Sequence, residues 1–119
     1  MIKGLRLLLL FFGIAAIPLL VAAQYSPRPE KVGTITGNVV DAHGKPVADA
    51  SVMIQTSDGL HPHATRTDSN GRFEFARFET GQYDLRAYSN GVFSEWDRRV
   101  VIQTKKPTQI TLRLPSSGN

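Results

Sequence analysis

The sequence predicts an all-β domain, a seven-stranded antiparallel β-sandwich. Three observations predict it. Runs of about 5–9 residues alternate apolar with polar side chains. Clusters of Gly, Asp, Asn and Pro separate those runs. After residue 32 no stretch holds a helical period of useful length. Alternation means that each strand buries one face and wets the other. Seven such strands between Gly33 and Leu114 call for two sheets packed face to face.

The first run is Gly33 to Asp41. In the turn Asp41-Ala42-His43-Gly44-Lys45-Pro46, Asp offers an acceptor to local amides, Gly takes a positive φ and Pro fixes its own. The second run, Ala50 to Thr56, sets Ala50, Val52 and Ile54 against Ser51, Met53 and Gln55. The third, His63 to Thr67, is short, and Asp68-Ser69-Asn70-Gly71 turns the chain after it. The fourth, Arg72 to Phe78, points Phe73 and Phe75 inward and Arg72 and Glu74 outward. Glu79-Thr80-Gly81 leads into the fifth, Gln82 to Tyr88, with Tyr83, Leu85 and Ala87 inward and Asp84 and Arg86 in water. Ser89-Asn90-Gly91 turns into the sixth, Phe93 to Gln103, where Trp96, Arg98, Val100 and Ile102 share one face. The seventh is Thr108 to Leu114. The expected core is Ile35, Val39, Val47, Val52, Ile54, Phe73, Phe75, Tyr83, Leu85, Val100, Ile102, Ile110 and Leu112. Burying each such side chain contributes roughly 1.5–3 kcal/mol, offset by chain entropy.

The N-terminus reads differently. Lys3 and Arg6 precede an apolar stretch from Leu7 to Ala23, which ends in Val21-Ala22-Ala23. Basic, apolar and small-residue segments in that order describe a secretory signal peptide, with cleavage expected after Ala23. The alternative is an uncleaved membrane anchor, although a span needs about 20 residues. Residues 24–32 form a flexible lead-in, 33–114 the domain and 115–119 a disordered tail. The chain has no Cys, so a small domain holds without disulfides, as suits a bacterial secreted or periplasmic protein. The net charge of +4 falls to +2 without Lys3 and Arg6. Its basic residues are scattered, so no nucleic-acid stripe forms.

Three patches carry a resemblance. They are Gly37-Asn38-Val39-Val40-Asp41-Ala42-His43-Gly44-Lys45-Pro46-Val47 with Ala50-Ser51-Val52, then Thr67-Asp68-Ser69-Asn70-Gly71-Arg72-Phe73, then Thr80-Gly81-Gln82-Tyr83-Asp84-Leu85. Together they resemble the carboxypeptidase regulatory-like domain, from Thr34 to Leu114. The resemblance implies a transthyretin-like (prealbumin-like) Greek-key sandwich and no catalytic residue. It implies structural roles for Asp41, Gly44, Asp68, Gly71, Phe73, Gly81 and Tyr83. Asp49 departs from the family pattern, where Gly is usual.

The candidate sites are few. Tyr88, Phe93 and Trp96 flank the Ser89-Asn90-Gly91 turn, with Glu95, Asp97 and Arg98 beside them. Exposed aromatics there stack on a sugar ring or enter a partner's groove. The shared face with Val100 and Ile102 makes Trp96 a cap on the core instead, and Trp96→Ala then costs roughly 3–5 kcal/mol. Binding residues are therefore expected among Tyr88, Phe93, Glu95, Trp96 and Arg98. His61-Pro62-His63 places two imidazoles two residues apart, the candidate start of a metal site with His43 or Asp58. The plainer reading is a polar loop, and no metal or cofactor is expected. Asp68 to Gly71 is a hairpin turn, because a calcium loop needs acids where Arg66 and Arg77 stand. No Cys nucleophile and no G-x-S-x-G elbow is present.

The expected function is an exported, non-catalytic module for protein interaction or structural support at the cell envelope. Its partner is an envelope or extracellular protein, or a glycan. Membrane contact is expected only through an uncleaved signal segment. The alternatives are a carbohydrate-binding module near Trp96 and a small metal-binding protein or enzyme using His61 and His63.

Overall fold

A computed structural model describes residues 31–116. The predicted signal peptide, lead-in residues 24–30 and tail residues 117–119 lie outside the described residues. The strands are β1 (Val32–Val40), β2 (Ser51–Thr56), β3 (His63–Arg66), β4 (Arg72–Glu79), β5 (Gly81–Ser89), β6 (Val92–Phe93), β7 (Asp97–Ile102) and β8 (Thr108–Arg113). They form two sheets, one ordered β4-β1-β8 and one ordered β3-β2-β5-β6, with β7 also paired to β5. The all-β sandwich stands.

The expected sixth run divides into β6 and β7, because the chain leaves the sheet at Ser94-Glu95-Trp96. Nor is every pairing antiparallel. After β7 the chain crosses to the other sheet, and β8 lies parallel to β1 from Ile35↔Thr108 to Val40↔Arg113.

The core lies between the sheets. Every expected core residue is buried except Val47 and Ile110, which pack partly buried against it. Ala50, Ala87 and Leu114 complete it. Tyr83 fills the interior and donates its hydroxyl to the Glu79 carbonyl at 2.7 Å. Burial, reinforced by the Glu79 charge, raises its phenol above the ordinary tyrosine range.

Side-chain carboxylates build the turns. Asp41 Oδ1 accepts from the Lys45 amide at 3.0 Å and the His43 amide at 2.8 Å. Asp68 Oδ1 accepts from the Arg72 amide at 2.9 Å and the Asn70 amide at 2.8 Å. Those amides favour the ionised form and hold both carboxyls below the usual range. Asp58 is lowered too, by the Thr56 hydroxyl first and then the Leu60 amide. Asp49, where the family pattern has Gly, takes φ +57°. Aspartate visits that left-handed region more readily than most residues, so the turn survives.

Thr67 performs a job its spacing did not announce. It is 6% exposed. Its Oγ1 accepts from the Ala50 amide at 2.8 Å and donates to the Val47 carbonyl at 2.7 Å. One hydroxyl thus satisfies two backbone groups at the entry to β2, which burial would otherwise leave unpaired.

Candidate functional site

The β5–β6 hairpin carries the site. Asn90 and Gly91 both take positive φ, +50° and +81°, as a two-residue turn with right-handed strand twist requires. The turn pairs Ser89 with Val92 and Tyr88 with Phe93. Directly opposed side chains share a face. The Tyr88 and Phe93 rings lie 4.6 Å apart at 47°. Both remain in solvent, 41% and 46% exposed.

Arg86 stands two residues before Tyr88 on the same face. Its guanidinium carbon lies 4.1 Å from the Phe93 ring centre and 4.6 Å from that of Trp96. Two aromatic faces hold the cation. Its Nε is buried and has no hydrogen-bond partner among the described residues. A groove of about 640 Å³ adjoins, lined by Arg86, Phe93, Glu95, Trp96 and Asp97 of one sheet and its loop, and by Thr111 and Arg113 of the other sheet.

Trp96 corrects an expectation. It is partly buried but outside the core cluster. The reason is a β-bulge. Tyr83 pairs with Val100 and Leu85 with Asp97, so Arg98 and Arg99 together oppose Asp84. One extra residue reverses the alternation for everything before it. Trp96 therefore sits with Arg86, not with Val100 and Ile102.

Asp84 holds that bulge, and it too departs from expectation, being 3% exposed instead of wet. Its carboxylate accepts from Ser57 Oγ at 2.8 Å, the Arg99 amide at 3.0 Å and Arg98 Nη1 at 3.3 Å. The Arg99 amide turns towards it because Arg99 takes φ +54°. Arg98, expected as a binding residue, is thus the partner of Asp84.

Ser94 shapes the loop that presents Trp96. Its amide donates to the Ala87 carbonyl at 2.9 Å, and its Oγ accepts from the Ala87 amide at 2.8 Å. The same hydroxyl donates to the Glu95 carbonyl at 2.9 Å. β5 thus stays satisfied where the partner strand leaves it, and Glu95 is free to stand in solvent.

Of the expected binding residues, Tyr88, Phe93, Glu95 and Trp96 are brought together and Arg98 is directed elsewhere. Arg86 was missed, although its period-two spacing from Tyr88 was a usable signal. His61 and His63 line a separate cavity of about 360 Å³ with Thr56, Phe78 and Tyr83. His63 meets Phe78 edge to face at 5.2 Å. Among the described residues no three His, Cys, Asp or Glu side chains converge as metal ligands.

The carboxypeptidase regulatory-like domain family model matches residues 34–115. Halomucin of Haloquadratum walsbyi is 28% identical over 92 residues, which are 77% of this chain but 1% of halomucin. In fold the chain is similar to BcpA, the major pilin subunit of Bacillus cereus, with TM-score 0.55 and 13% identity over 75% of this chain and 31% of the pilin. It is also similar to catechol 1,2-dioxygenase of Pseudomonas arvilla, with TM-score 0.54 and 15% identity over 79% of this chain and 55% of the enzyme. At such identities the likeness is one of fold. A sandwich of this shape occurs both in a pilin and in an enzyme, so function rests on the site.

Proposed function

Because the chain belongs to the carboxypeptidase regulatory-like domain family, we propose that it is a non-catalytic β-sandwich module for protein interaction or structural support at the cell envelope. One observation carries this reading. The turn carboxylates and the buried polar groups Thr67, Asp84 and Ser94 are engaged in holding backbone and bulge. The Arg86–Tyr88–Phe93–Trp96 surface is not spent in this way and stays open to a partner. Aromatic and arginine side chains of this kind dominate interface energies. The Met1–Ala23 segment supports export to the periplasm or beyond, and scattered surface charge argues against nucleic acid. The likeness to halomucin and to a pilin accords with an extracellular setting.

A second reading, carbohydrate binding, is favoured by the exposure of Tyr88 and Phe93, since aromatic faces stack on sugar rings. Trp96 is the chain's one tryptophan, so its fluorescence has one source. The test titrates the chain with envelope extracts and with a panel of polysaccharides. An emission change with protein fractions, abolished by protease treatment, supports the first reading. A change with one purified glycan replaces it with the second.

A further inference from the structure

We propose that the open edge of β8 is a strand-addition site for an extended segment of a partner protein that carries a carboxylate opposite Arg86. The proposal rests on the protein-interaction reading and names its mode.

Exposed strand edges are templates for pairing, and proteins usually blunt them. Among the described residues, β3 is short and bears His63 and Arg66. β4 is broken by a bulge at Arg77, φ +59°, and carries Arg72, Glu74 and Glu79. β7 has its own bulge at Arg99 and the charges of Asp97 and Arg98. β8 has no bulge, and its one charge, Arg113, stands at its end. Thr108 to Leu112 is uncharged, and its register with β1 is unbroken. It ends its sheet, so one edge is unpaired.

The direction of that edge follows from one bond. The Leu114 amide donates to the Val40 carbonyl at 2.8 Å. Alternate residues of a strand turn their backbone groups to opposite sides, so Ile110 and Leu112 also face β1. Gln109, Thr111 and Arg113 direct N–H and C=O away from it. Thr111 and Arg113 line the groove, and Arg86 and Trp96 lie across from them.

Charge selects the occupant. The Arg86 guanidinium is stacked between two rings and has no anionic partner among the described residues. Arg113 is engaged with the Asp41 carbonyl at 3.2 Å. Glu95 and Asp97 line the same groove and would repel any further acidic side chain, so the segment carries a single carboxylate, set at Arg86. An extended segment with one acidic side chain thus satisfies the backbone edge and Arg86 together, the mode of β-augmentation.

The test uses the full chain, ¹⁵N-labelled, with a capped peptide Thr-Val-Asp-Val-Thr-Val. Expected are slowed exchange of the Gln109, Thr111 and Arg113 amides by about tenfold or more, and loss of binding when the peptide backbone is N-methylated. The Asp→Asn peptide and Arg86→Gln should each weaken binding several-fold. Thr111→Pro should abolish it with an unchanged circular dichroism spectrum, since only an outward N–H is removed. Wild-type affinity in Thr111→Pro would overturn the proposal. So would protection of β3 or β4 instead, which leaves the interaction reading intact. Protection of β8 without peptide in a concentration-dependent dimer would assign the edge to a second copy. Binding of purified glycans with no peptide binding would remove the interaction reading itself.

Discussion

Replacing Asp84 with alanine should cost about 3.5 kcal/mol, and the figure follows from its surroundings. The carboxylate is nearly sealed from water and accepts three hydrogen bonds. The bonds from Ser57 and the Arg99 amide reach an ionised acceptor, which contributes about 1.5 kcal/mol each at the lower end of the charged range. The Arg98 side chain is 65% exposed, so its ion pair is screened and adds only about 0.5 kcal/mol. For a domain of this size the loss lowers Tm by roughly 14–28 °C. Asp84→Asn preserves shape and one acceptor oxygen and should lose about half as much. Arg98→Ala should lose less than about 1 kcal/mol. Urea unfolding followed by circular dichroism measures all three. Equal losses in Asp84→Ala and Arg98→Ala, or a loss below about 1 kcal/mol in the former, would refute the idea that Asp84 holds the bulge through the backbone.

Three further outcomes follow from the same structure. Thr67→Val keeps the volume but strands the Ala50 amide and the Val47 carbonyl, and should cost about 2–3 kcal/mol in a thermal melt. Trp96→Ala should cost about 1–2 kcal/mol, well below a core tryptophan, because it loses chiefly its stacking with Arg86 and part of its burial. A loss above about 3 kcal/mol would return Trp96 to the core. The acid limb of stability should reflect Asp41, Asp58 and Asp68, whose folded-state values lie below the ordinary 3.8. Their contribution is complete above the unfolded value and disappears as pH falls through the lowered folded values. Urea midpoints between neutral pH and pH 2 should fall less steeply in Asp41→Asn/Asp68→Asn than in the parent.

The sequence by itself determined the class of the fold, most of its core and two turns. Alternation in Val52-Met53-Ile54 or Phe73-Glu74-Phe75 is a local property, and buried strands must obey it. Asp41 with Gly44 and Asp68 with Gly71 act within a few residues, so their chemistry is legible without a partner. Tyr88 and Phe93 could be paired for the same reason, since a two-residue turn brings them face to face, and Glu95 and Trp96 follow Phe93 within three residues. Tertiary structure alone decided which way Trp96 faces. A bulge is a mismatch between two strands, and neither strand announces it. Only when β7 lies beside β5 do Arg98 and Arg99 oppose the single residue Asp84, and the face of each residue before them reverses. The same limit applies to β8. Its uncharged run, Thr108 to Leu112, can be read in sequence, but its place at the open edge beside Arg86 comes from a crossing between sheets that pairs residues more than seventy positions apart.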